Sequence, residues 1–571
     1  MKPLPIISNK TNVSLQNIVD NITHNDISGV NILFINLPLR ETAQPNTTPE
    51  GPLLMATNLR NNYGVKASIV DLNAYRIKDD KAFAKGLPNG RHLTYFEAKE
   101  LIKKHISVYG EPDVVGLSGM ITTLKWQEIV VEIVRGFMPD VFIVSGNGLA
   151  TELKLGLFNY IHDLDAVSHS EGDDVIVKIC YDAKIIKEQG IESAVNSGKL
   201  APYYLGVVTG KHRFMYAGDR PSNLDKYPFA DLNFLEKDVY GNKILEWYIK
   251  TPAWGGIASN SSATPFTMDR STTSVSSRGC PFSCNFCFRG SQGERNWGVR
   301  SAEHIFNEFQ THIEKYNVNF KGFPDDNFAV AIPRIEKMVP LLGPLNVKWG
   351  THTRMDEGSD PKRIRPMAQA GCIYIGFGAE SANKDSLIAL DKGGHTLSNG
   401  LEEVFVNGKA YDFPKSMTYA IRNCLEYGIH ANCTWITGIP GETLERLKYS
   451  IAFIKWQEEL YAQHGISSNA VNKKMFTLTW YPGTGMIKYD NVRKKLTDVF
   501  GITFEQSDNK LSPFEPICDE QFYNYLIELD DATKVLKYGK ETLNFGDMSQ
   551  EQFLQARDHI DSGNIFKILD M

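Results

Sequence analysis

Three cysteines, Cys280, Cys284 and Cys287, stand in the stretch Ser-Ser-Arg-Gly-Cys-Pro-Phe-Ser-Cys-Asn-Phe-Cys-Phe-Arg with the spacing Cys-x3-Cys-x2-Cys. Soft thiolates gathered this closely select zinc or an iron–sulfur cluster. A structural zinc site needs a fourth ligand, yet no Cys-x2-Cys or His-x3-His pair follows, and the nearest downstream histidine, His304, falls in an amphipathic helical stretch. A disulfide framework is disfavoured by the short spacing and by the lack of a secretory signal ahead of it. Three thiolates on one loop suit a 4Fe-4S cube whose fourth iron stays open for a small chelating ligand. Pro281, Phe282, Phe286 and Phe288 fit a loop that shields such a cluster from water.

This segment closely resembles the cluster loop of the radical S-adenosylmethionine (radical SAM) enzymes. In that family the amino and carboxylate groups of S-adenosylmethionine occupy the open iron, and one electron from the cluster cleaves the sulfonium to a 5'-deoxyadenosyl radical. The elements needed to position such chemistry follow in the second half of the chain. Strand patterns at 273–277, 320–325, 347–354, 373–377, 431–437 and 474–480 alternate with helical stretches, the first of them Ser301 to Tyr316 with Ser301 as N-cap. Six such repeats predict a partial (β/α)6 barrel, and parallel barrels carry their sites at the carboxyl ends of the strands. The resemblance extends to those ends. Asp325-Asp326-Asn327-Phe328 implies contact of Asp325 or Asp326 with the ligand's amino group. Arg354 would hold its carboxylate or a neighbouring acid. Glu380 and Ser381, closing Gly376-Phe377-Gly378-Ala379-Glu380-Ser381, point to its ribose or methionine end. Gly438 and Pro440 lie near adenine, with Glu442 capping the next helix. A Gly- and Asn-bearing segment from 391 to 416 reads as an insertion with a hairpin over 404–410, suited either to shaping a substrate pocket or to loop variation without function.

The first half alternates strands at 30–37, 67–72, 114–118 and 141–145 with helices at 52–63 and 126–137, which predicts a Rossmann-like parallel sheet covered by helices. Ligands bind such sheets beyond the carboxyl ends of the strands. The loops there resemble the cobalamin-binding domain that precedes the radical SAM core in one large subgroup: Gly116-Leu117-Ser118 with Thr122, Ser145-Gly146-Asn147-Gly148, and Ser170-Glu171-Gly172-Asp173. Ser118, Thr122, Gly146, Gly148, Glu171 and Gly172 are the implied corrin contacts. No Asp-x-His-x-x-Gly occurs, so the sequence offers no histidine signature for the lower face of cobalt. The alternative is a Rossmann-like domain kept for packing or another ligand.

Composition frames these readings. The chain has 571 residues, 42% of them hydrophobic, enough for several cores. The division expected is an N-terminal extension (1–28), a Rossmann-like cobalamin domain (29–185), a connector (186–270), the radical SAM partial barrel (271–490) and a mostly helical C-terminal region (491–571). The other five cysteines, Cys180, Cys372, Cys424, Cys433 and Cys518, stand singly, as buried thiols of a reducing cytoplasm do. A net charge of −6 supplies no global basic field for nucleic acid, and no run of about 18 apolar residues suits a membrane. The expected function is a cobalamin-dependent radical SAM methyltransferase acting on a small-molecule intermediate and served by a flavodoxin- or ferredoxin-type electron donor. Alternatives keep both cofactors for a non-methylating radical reaction, or dispense with cobalamin.

Overall fold

The computed structural model describes residues 15–39, 45, 47–221, 223–251, 269–288, 297–345, 347–507, 513–529, 536–538 and 541–571. The chain divides into two compact units, one comprising residues 1–43, 49–222 and 227–244, the other 44–48, 223–226 and 245–571.

The first unit is built on a seven-stranded sheet of β1 (Asn31–Asn36), β2 (Lys66–Asp71), β3 (Val114–Ser118), β4 (Phe142–Gly146), β5 (Ala166–Ser170), β6 (Tyr204–Val208) and β7 (Lys211–Gly218), in the order β2-β1-β3-β4-β5-β7-β6. All neighbours run parallel except the β6–β7 edge pair. Burial on both faces explains the continuous apolar runs of β1 and β3 that make them legible in sequence. The sheet continues beyond residue 185 into β6 and β7. Those strands were not expected from the sequence, because β6 is short, only partly covered and broken by Gly206. The order reverses between β1 and β3, which places the topological switch point at the loops after Asn36 and Ser118.

The second unit holds a six-stranded parallel sheet of β8 (Ser271–Thr273), β11 (Phe320–Phe323), β12 (Lys348–Arg354), β13 (Cys372–Glu380), β16 (His430–Thr437) and β17 (Met475–Thr477), in the order β17-β16-β13-β12-β11-β8. Two antiparallel pairs interrupt it: β9 (Ser277–Arg278) with β10 (Gly298–Val299), and β14 (Leu401–Val406) with β15 (Lys409–Pro414). Helices Ala302–Tyr316, Ile332–Leu342, Pro361–Gln369, Lys415–Glu426 and Leu444–Gln463 supply apolar side chains to one large core, which takes Phe323, Trp349, Ile375, Phe377, Ala431, Cys433 and Trp435 from the sheet. Burying each of these large side chains contributes about 1.5–3 kcal/mol. Successive strand residues face opposite ways, so Gly350, His352, Arg354, Tyr374, Gly376, Gly378, Asn432 and Thr434 line the other face.

The β14–β15 hairpin turns Tyr411 and Phe413 into the helix-side core, where they meet Tyr449, Phe453 and Trp456. It is therefore part of the outer wall and not a cover for the barrel mouth. Helices Asp490–Phe500, Glu520–Glu528 and Gln550–Asp561 follow, and Phe553, Ala556 and Ile560 of the last join the same core.

Candidate active site

The cysteine loop is clamped at its base. Asp325, buried at the end of β11, accepts from Ser276 N at 2.7 Å, Ser276 Oγ at 2.5 Å and Ser277 Oγ at 2.6 Å. Arg334 donates to the carbonyl of Ser276 at 3.0 Å, and Arg300 N to the same carbonyl at 3.0 Å. The Arg300 guanidinium pairs with buried Glu308 at 2.8 Å, and Glu308 also meets Lys321 at 3.3 Å and Ser274 Oγ at 3.0 Å. Burial alone would raise the Glu308 carboxyl, but Arg300 and Lys321 outweigh it and hold the group ionised below its usual range.

At the mouth, Cys284 is buried, Cys280 half-buried and Cys287 exposed. Arg354 Nη1 donates to Cys284 Sγ at 3.3 Å, its Nε pairs with Asp356 at 2.9 Å, and its guanidinium lies 4.1 Å over the Phe282 ring. A hydrogen bond from Cys287, together with Lys392 and Arg354, brings the Cys284 thiol down to about 6 against the effect of burial, while burial pushes Cys280 up. Asn285 anchors the loop to segment 389–390 through Ala389 O and Leu390 O, and His395 stands edge-on to Phe282.

Glu380 ends β13 with φ +62°, the left-handed region that costs a non-glycine residue about 1–2 kcal/mol. That turn, at a register shift between Gly378 and Glu380, brings its carboxylate 2.9 Å from Lys392 Nζ, with both groups buried. A Cβ on Gly378 would stand 2.5 Å from Glu380 Oε1 and 3.0 Å from Lys392 Nζ, so glycine is required for this pair to fit. Lys392 escaped the sequence reading because it lies in the segment read as an insertion.

The remaining expected residues separate into two kinds. Asp326 is exposed and close enough to Cys280 to act on its thiol, whereas Asp325 is already committed to Ser276 and Ser277. Ser381 Oγ accepts from Asn383 N at 3.1 Å and from Ser450, so it is engaged in a local turn. Gly438, at φ +84°, and Ile439-Pro440 form the loop after β16. Glu442 folds back on that loop, accepting from Gly438 N at 2.7 Å and Thr437 Oγ1 at 3.0 Å. Burial raises Glu442 to about 7.

In the first unit, Ser118 Oγ accepts from Asn147 Nδ2 at 3.2 Å, and Thr122 sits half-buried in the turn after β3. A Cβ on Gly146 or Gly148 would make only ordinary contacts, 3.7 Å or longer, so the packing described gives no reason for glycine there. Gly172 does have one, because its Cβ would meet Met55 Sδ at 2.7 Å. Glu171 is paired with Arg220 at 2.8 Å. Leu39 and Met120, at 39% and 43% exposure, stand in the loops that follow β1 and β3.

Three soft thiols on one loop, one held low in pKa beside two cations, have the donor chemistry of an iron–sulfur site. Among the described residues no three His, Cys, Asp or Glu side chains surround a point where a single metal ion would sit. Residues 274–454 match the radical SAM superfamily. The chain carries a radical SAM domain. An uncharacterized methyltransferase of Pyrococcus horikoshii is 24% identical over 403 residues, 70% of this chain and 72% of the relative. The anaerobic magnesium-protoporphyrin IX monomethyl ester cyclase of Rubrivivax gelatinosus is 24% identical over 59% of this chain and 53% of its own length. Among solved structures, the radical S-adenosylmethionine methyltransferase TsrM of Kitasatospora setae, with tryptophan substrate and a SAM analogue bound, superposes with TM-score 0.55 at 14% identity over 94% of this chain and 89% of that chain. The cobalamin-dependent S-adenosylmethionine radical enzyme OxsB superposes with TM-score 0.57 at 15% identity over 85% of this chain and 64% of that chain. The fold of this chain is thus shared with a radical S-adenosylmethionine methyltransferase and a cobalamin-dependent S-adenosylmethionine radical enzyme. A radical SAM domain implies a 4Fe-4S cluster and S-adenosylmethionine, and no helix among the described residues is long and apolar enough to cross a membrane.

Proposed function

We propose that this radical SAM enzyme is a cobalamin-dependent methyltransferase acting on an unactivated carbon of a small-molecule biosynthetic intermediate. The carrying observation is that one chain joins a three-cysteine loop, clamped at its base to a six-stranded partial barrel, to an open sheet whose switch-point loops carry exposed Leu39 and Met120 and strand-end glycines without a packing role. Exposed apolar side chains and missing side chains suit the close approach of a corrin. When bound, the cluster and S-adenosylmethionine supply a 5'-deoxyadenosyl radical, and methylcobalamin supplies the methyl group.

The chain's own residues would bind and orient these groups. Cys280, Cys284 and Cys287 would ligate the cluster, with Arg354 compensating thiolate charge at Cys284. Asp326, exposed beside Cys280, is better placed than Asp325 to pair with an ammonium group. Lys392 aims the Glu380 carboxylate, whose oxygens can accept hydroxyl or ammonium hydrogens. Glu442 fixes the Gly438–Pro440 backbone on which an adenine edge would rest. Ser118, Thr122, Gly146, Gly148, Glu171 and Gly172 would face the corrin. A flavodoxin- or ferredoxin-type donor would supply the electron. The cyclase relative supports a second reading, a radical ring formation without methyl transfer.

The test uses S-adenosylmethionine labelled in its methyl group with anaerobically reconstituted, corrin-loaded enzyme. Label in the product, with deoxyadenosine formed alongside, is expected. Deoxyadenosine without labelled product would select the second reading, and failure to retain corrin would remove cobalamin from both.

A further inference from the structure

The barrel face opposite the helices is layered. Strand pairing sets Arg354, Gly378 and Thr434 in one row, His352, Gly376 and Asn432 in the next, and Gly350, Tyr374 and His430 in the third. The first row carries Arg354, which touches Cys284. Rows repeat every two residues, about 7 Å apart at the usual strand rise. The second row therefore lies about 7 Å below the row that carries Arg354.

The second and third rows contain neither a carboxylate nor an ammonium group. Tyr374 and His430 stack with ring centres 5.5 Å apart, and Tyr374 OH is hydrogen-bonded to Asn432 Nδ2. A Cβ on Gly376 would overlap the His352 ring, so the glycine leaves room for that imidazole over the neighbouring strand. Burial lowers His352 and His430 to about 4 each, which keeps both imidazoles neutral.

Asn432 is 1% exposed, and its Oδ1 has no hydrogen-bond partner. Turning the amide over would leave Nδ2 unpartnered instead, because Tyr374 OH meets only one of the two atoms. Leaving a buried amide atom unpaired costs about 1–3 kcal/mol. His352, Thr434 and Ile436 on the same face are half-buried, and a ligand that reached Oδ1 would recover that cost.

We propose that the Asn432 row is the substrate-reading floor of the barrel, and that it takes an uncharged planar molecule presenting a ring N–H or amide edge to Asn432. This rests on the radical SAM reading of the same barrel and adds the chemical class of what it accepts. A site built to hydrogen-bond an N–H group discriminates strongly against an analogue lacking it, because its own polar atom is then left unpaired. Anionic groups would find no cation in these two rows, so acids and phosphates are excluded from the floor.

The test measures binding of three probes to the reconstituted holoenzyme by saturation-transfer NMR: indole, its N–H-free isostere indene, and benzoate. Indole should bind about tenfold more tightly than indene, as one satisfied hydrogen bond requires, with benzoate undetected. In Asn432→Leu that preference should vanish while indene binds as well or better, iron content showing that the variant has folded. Should Leu fail to fold, Asn432→Ala gives the same comparison. Equal binding of indole and indene by the parent, tight benzoate binding, or an unchanged preference in the variant would each overturn the proposal, a shared preference being the mark of a water-filled floor. Deoxyadenosine formation from S-adenosylmethionine in the parent is scored separately, and its failure would remove the radical SAM reading without altering the probe result.

Discussion

Glu380 and Lys392 form a buried ion pair at the strand end nearest the cysteines, and removing one partner of such a pair costs about 3–5 kcal/mol because the other charge stays buried. Lys392→Met should therefore lower the melting temperature and weaken S-adenosylmethionine binding in equilibrium dialysis, while leaving about four irons per chain. Equal loss of iron would show that the lysine serves the cluster directly. Glu442 offers a pH test. Its folded pKa of about 7 lies above its usual 4.5, so the folded state holds the proton more tightly than the unfolded one. The stabilisation is complete below about pH 4.5 and is lost as pH rises through about 7, a span of about 3 kcal/mol. Urea midpoints should fall between pH 5 and pH 8 in the parent, and Glu442→Gln should flatten that part of the profile.

At the scale of elements, the loop that presents the cysteines depends on partners supplied by other strands and helices. Glu308→Gln should strand Arg300 and Lys321 in the core and reduce iron retained after reconstitution, because Arg300 ties down the base of the loop. Gly378→Ala should be milder: its Cβ, 2.5 Å from Glu380 Oε1, displaces one carboxylate and should weaken S-adenosylmethionine binding with iron unchanged. Much of the architecture was legible in sequence. The buried parallel strands β1, β3 and β12 read as apolar or alternating runs, and the cysteine spacing defined its own chemistry. What sequence could not reveal was pairing at a distance. Asp325 and Asp326 are adjacent and chemically alike, but the fold spends the first on Ser276 and Ser277 and leaves the second exposed. Lys392 looked like an insertion residue until the left-handed turn at Glu380 brought the two together. Asn432 is one of several polar residues in its strand, and only register shows which row it shares.

At the scale of the whole molecule, the two compact units have separate cores, and their proposed cofactors belong to different units. Cys284→Ala should abolish deoxyadenosine formation and retain corrin, read from the visible spectrum of the reconstituted protein; loss of corrin in this variant would contradict the division of labour. An open barrel also has a hazard that a closed one lacks. Its two outermost strands, β8 and β17, each have one edge without a strand partner among the described residues, and such edges, when exposed, are a common route to aggregation; here most of their residues are buried, and Arg557 donates to the Met475 carbonyl. Here both are three residues long. So short a template offers little to an incoming strand, and a half-open barrel can wait for iron in the company of its own copies without adding them to its sheet.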